Sequence, residues 1–64
     1  MDAKLWLVVR RSRTIPGGYR VVRARLGQEQ AKRIATSYKR PHQAMSRDEL
    51  VKLRLAALAA LTQG

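Results

Sequence analysis

A helix whose start is fixed by its sequence, and which is apolar on nearly every side, constrains this chain more than any other segment. Ser46-Arg47-Asp48-Glu49 has the S-x-x-E spacing of a capping box. In that arrangement Ser46 accepts from the Glu49 amide, and the Glu49 side chain returns to the Ser46 amide. Met45 before the cap and Leu50 after it are placed for a hydrophobic staple. The helix is predicted to run to about Thr62, through Leu50, Val51, Leu53, Leu55, Ala56, Ala57, Leu58, Ala59, Ala60 and Leu61. A single small layer does not cover every side of such a helix. The expectation is therefore burial by a second subunit, with Leu50, Val51, Leu55, Leu58 and Leu61 at the interface.

The segments before it alternate between strand and turn signals. Leu5-Trp6-Leu7-Val8-Val9 is a short β-rich apolar run, read as a strand from which Arg10, Arg11 and Arg13 lead out. Pro16-Gly17-Gly18 marks a turn. Tyr19 to Leu26 then alternates with period two. Val22, Ala24 and Leu26 share a face suited to a core, and Tyr19, Val21, Arg23 and Arg25 share a solvated or ligand-facing one. Ala31, Ile34, Ala35 and Tyr38 form the stripe of an amphipathic helix from about Gln28 to Lys39, closed by Pro41. His42 to Met45 reads as a loop. The expected fold is α+β, with β-strands or an N-terminal β-hairpin followed by two helices. It forms one small basic domain over residues 1–64, as a homodimer.

Composition limits what such a domain does. The chain has no Cys and a single His, His42, so thiolate and His-rich metal sites are excluded and no cofactor is expected. The four acids, Asp2, Glu29, Asp48 and Glu49, sit at a terminus or in first turns of helices, where capping and helix-dipole physics explain them. No catalytic set remains, and enzyme activity is not expected. The start, Met1 to Leu5, lacks the pattern of a signal peptide, and the longest apolar run, Leu55 to Leu61, is too short to span a bilayer. A soluble cytoplasmic protein without a membrane partner is the expectation.

The charge points to a partner. Fourteen Lys and Arg against four Asp and Glu give +10 in 64 residues. Residues 1–26 carry +6, residues 27–45 carry +3 and residues 46–64 carry only +1. A small domain repelling itself this strongly is relieved by a polyanion, with nucleic acid the first expectation. Alternate outward residues of a strand stand about 7 Å apart, close to the spacing of base edges or phosphates. Arg23 and Arg25, with Arg20 and Arg10 nearby, therefore suit a groove-reading strand, although a solvated arginine face is the plainer alternative. Lys32, Arg33, Lys39 and Arg40 would make a basic flank able to contact the phosphate backbone, with a solvated helix face as the alternative. Trp6 and Tyr19, with Arg10, Arg11 and Arg13, are candidate stacking or partner contacts, Trp6 being first of all a core residue.

From Tyr19 onward the chain resembles the ribbon-helix-helix family of small dimeric DNA-binding repressors. The resemblance is carried by Arg20-Val21-Val22-Arg23-Ala24-Arg25-Leu26-Gly27, Gln30-Ala31-Lys32-Arg33-Ile34 and Ser46-Arg47-Asp48-Glu49-Leu50-Val51. It implies a strand pairing across a two-fold axis and entering the major groove. Val21, Arg23 and Arg25 would then face the bases, with Ser46 and Arg47 on the backbone. The extra strand signal in the first 18 residues and the long loop at Pro41 depart from that pattern. The expected function is a duplex-DNA-binding transcriptional regulator. The alternatives are an inhibitor or adaptor docking on an acidic surface of a larger nucleic-acid-processing enzyme, and an RNA-binding protein.

Overall fold

The computed structural model describes residues 5–63, so the reading of Met1 to Lys4 lies outside the described residues. The elements are β1 (Trp6–Arg11), β2 (Tyr19–Leu26), α1 (Gln28–Ser37), β3 (Gln43–Ser46) and α2 (Arg47–Gln63). The α+β class is as expected. The segment read as a loop, His42 to Met45, instead contributes a third strand, and the sheet order is β2-β1-β3 with both neighbours antiparallel to β1. Four residues with only Ala44 and Met45 apolar are too short for a period to show; pairing with β1 defines this strand.

β1 is central, and its apolar run is continuous because both of its faces are covered. Val8 packs with Leu26, Ala31 and Ala35 under α1, joined by half-buried Trp6, Val22, Ile34, Tyr38 and Ala44. Leu7 and Val9 point the other way, to Met45 and Leu50, with Tyr19, Val21 and Leu53 around them. α1 lies on one face and the start of α2 on the other. The α1 stripe is the expected one, and its two alanines let the helix sit close to the sheet. α1 ends at Ser37, with Tyr38 already extended at φ −81° and ψ 144°. Lys39 and Arg40 are thus outside the helix.

The turn before β2 is specific. The Gly18 amide donates to the Ile15 carbonyl (2.9 Å), with Pro16 at the second position and Gly17 at φ +88° at the third. That is the residue pattern of a type II turn. The Ser12 amide also donates to the Gly18 carbonyl at 2.9 Å, closing the loop onto the hairpin. Ser46 caps α2, its Oγ accepting from the Glu49 amide at 3.2 Å; the expected return bond from the Glu49 side chain to the Ser46 amide is not made among the described residues. Met45 and Leu50 share a core cluster, as a staple requires. The Arg47 amide donates to the Leu5 carbonyl at 2.7 Å, tying the helix start to the beginning of β1. Among the described residues no helix is long and apolar enough to cross a membrane.

Two substitutions test these local devices. Ser46→Ala should lower stability by about 1 kcal/mol, with Ser46→Asp restoring most of it. Gly17→Ala forces a side chain into a left-handed conformation, with its Cβ 3.3 Å from the Arg54 backbone nitrogen. It should cost about 1–3 kcal/mol. Urea denaturation of the purified variants reads both effects.

Candidate nucleic-acid interface

The topology gathers the described acids at one end of the sheet, beside Arg25 and Arg47, and leaves the other end wholly basic. β1 runs from Trp6, which pairs with Leu26 and Ser46, to Arg11, which pairs with Tyr19. Both helices begin just beyond Leu26 and Ser46, so Glu29, Asp48 and Glu49 lie at the Trp6 end. At the opposite end lie Arg10, Arg11, Arg13, Arg20 and Arg40, all exposed. Arg10, Arg11, Arg40, Pro41 and His42 line one shallow hollow there. Arg11, Arg13 and Tyr19 line another, beside Gly17 and Gly18.

Within this basic end, Arg10 and Arg20 are directly opposite one another across β1 and β2. Directly opposed side chains of an antiparallel pair stand about 5 Å apart at Cβ, and like charges there are destabilising. Arg10 shares the face of Val8, so both arginines lie beyond the end of α1 on its side of the sheet. Arg40 lies beside Arg10, its backbone fixed by a local lock. The Tyr38 and His42 rings stack with centroids 3.9 Å apart, and His42 Nδ1 donates to the Arg40 carbonyl at 2.8 Å. Tyr38 is itself packed into the core under α1, so the lock is anchored.

The other arginines expected at the interface are dispersed. β2 advances three residues from Arg23 to Leu26 where β1 advances two, and two from Val21 to Arg23 where β1 advances one. Such bulges break the period of two. Arg25 occupies the left-handed region at φ 58°. Ala24, expected in the core, is exposed and lines a groove against α2 together with Arg25. Arg23 and Arg25 are therefore not successive outward positions of a regular strand. Val21, expected to face bases, is half-buried against the α2-side core. Tyr19 faces the same side, and Leu50, expected at a subunit interface, is 3% exposed within the chain's own core.

The groove, of about 490 Å³, has Leu5, Leu7, Val21, Leu50 and Val51 as its apolar lining and Arg25, Arg47 and Arg54 as its charges. The Arg54 stem lies against Gly17, and its Nε is buried without a hydrogen-bond partner among the described residues. Lys32 and Arg33 are exposed on α1, away from its buried stripe. β2 pairs with β1 inside the chain, whereas the ribbon-helix-helix resemblance implies pairing between subunits; among the described residues the outer edge of β2 has no strand beside it. Arg23 and Arg25, with the two bulges, blunt that edge against strand addition. Arg40 was expected as one of a basic flank with Lys32, Arg33 and Lys39, whereas the stacked Tyr38 and His42 rings beside it were missed in the sequence. Their signal, aromatic rings flanking a Lys-Arg-Pro turn, has meaning only once β3 returns the chain to β1.

The opposed arginines make a stability prediction. Arg20→Glu turns a repulsive pair into an attractive one. It should raise stability by about 0.5 kcal/mol in dilute buffer, the gain shrinking as salt is added. Thermal unfolding at two salt concentrations reads it; a loss of stability would mean that Arg10 and Arg20 do not face each other. No family model, no curated protein and no solved structure matches the chain.

Proposed function

We propose that this protein is a non-enzymatic nucleic-acid-binding protein that grips phosphates through its basic sheet end, and that a regulatory role on duplex DNA follows from that grip. The observation carrying the reading is the directly opposed Arg10–Arg20 pair, with Arg11, Arg13 and Arg40 around it and the described acids at the other end. Folding brings like charges together at a cost, and a polyanion relieves that cost. The hollows between these residues are shallow, which suits a backbone rather than a small molecule. Arg10, Arg11, Arg20 and Arg40 contact phosphates, and Tyr19 and His42 border the same surface. Among the described residues no cluster of His, Asp and Glu could hold a metal ion.

In this reading affinity falls steeply with salt, because each neutralised phosphate releases counterions. Arg10→Ala with Arg20→Ala should weaken binding to a labelled random-sequence duplex at least tenfold and reduce the salt slope by about two. Arg25→Ala, in the groove, should change both much less. Anisotropy titrations over a range of salt concentrations measure this; equal effects of the paired and groove variants would overturn the assignment. Selection from a random duplex pool at about 150 mM salt then asks whether any sequence is preferred.

A second reading rests on the groove. An apolar lining with Arg25, Arg47 and Arg54 on its walls suits an acidic segment of a larger protein, which would make the chain an adaptor or inhibitor. Loss of a captured partner on Arg54→Ala with Val51→Ser, while duplex affinity is unchanged, would favour it.

A further inference from the structure

α2 leaves the body of the molecule after its first two turns. Leu50 is buried and Leu53 half-buried against the sheet, whereas Leu55, Leu58 and Leu61 are 60%, 49% and 71% exposed. Val51, on the same side of the helix at i−4 from Leu55, is 43% exposed. Leucines at such positions are among the residues that folding normally covers. Residues 55–61 contain no charge, so this stripe offers nothing for an acidic or basic partner to pair with.

The sequence of the stripe identifies what covers it. Residues 55–61 read Leu-Ala-Ala-Leu-Ala-Ala-Leu, the same in both directions about Leu58. Two such helices laid antiparallel, with Leu58 at the two-fold axis, present each leucine of one copy to the same pattern in the other. The contact is isologous and closes on itself. The four alanines allow a close approach of the helix axes. Antiparallel packing also sends the two bodies, which hold nearly all of the positive charge, to opposite ends of the helix pair.

We propose that the distal half of α2, centred on Leu58, is a self-association surface whose partner is α2 of a second copy of this chain. The contact is short, so the dimer forms with a dissociation constant on the order of 10 μM rather than as an obligate unit. Its salt dependence is opposite in sign to that of phosphate binding: screening the repulsion between two chains of +10 tightens it. The inference is independent of the nucleic-acid reading.

Sedimentation equilibrium of nuclease-treated full-length protein, from about 1 to 200 μM, tests it. The mass should rise from one chain to two over that range, at lower concentration in higher salt. Leu58→Glu lowers the net charge, so general repulsion falls, yet the variant should remain monomeric throughout; the neutral Leu58→Gln should shift the midpoint at least tenfold. Leu58 is exposed in the monomer, and circular dichroism should show unchanged helix content for both variants. A wild-type monomer up to 200 μM, or a dimer indifferent to both substitutions, would overturn the proposal. Because the chain lacks Cys, a spin label on Lys52→Cys reports orientation. Antiparallel helices put the paired labels about 18 Å apart along the axis; labels side by side, within about 10 Å, would overturn the antiparallel register.

Discussion

Val8 and Val9, consecutive in β1 and fully buried, face opposite sides of the sheet and join two small cores that neither helix could build alone. In a chain of this length only a few apolar residues are available, and a sheet covered on one face would leave half of β1 in water. Placing α1 over Val8 and the start of α2 over Val9 uses the central strand twice. The order β2-β1-β3 follows from the same need, since β1 must have a neighbour on each edge to satisfy its backbone groups.

That arrangement also decides where charge collects. With β1 antiparallel to both neighbours, β2 and β3 end on the same side as the Trp6 end of β1, and each feeds directly into a helix. Acids suit the first turns of those helices, where the backbone amides are unpaired. The ends left over are the hairpin and the connection from α1 to β3, and these carry Arg10, Arg11, Arg13, Arg20 and Arg40. The polarity of the molecule is thus a consequence of topology acting on a basic sequence. The Tyr38–His42 stack converts the exit from α1 into a fixed platform for Arg40.

Much of the local structure was legible in the residues. The Ser46 cap, the Met45–Leu50 staple, the Pro16-Gly17 turn and the Ala31–Tyr38 stripe each follow from chemistry within a few positions, and each is present. The errors fall where pairing with a distant segment overrides local pattern. Tyr19 to Leu26 alternates cleanly in sequence, but two bulges against β1 move Ala24 out of the core and part Arg23 from Arg25. Gln43 to Ser46 has no strand signature of its own, and becomes one because an edge of β1 is open to it.

By itself, then, the sequence determined the number and kind of the helices, the turn, the excess of positive charge and the uncharged leucine-alanine stripe of α2, because each depends on neighbours along the chain. The tertiary structure alone decided which arginines meet, which face of each strand is covered and which half of α2 stays exposed. Those outcomes depend on register and on packing between segments tens of residues apart, where a shift of one position in β2 moves a side chain to the other face of the sheet.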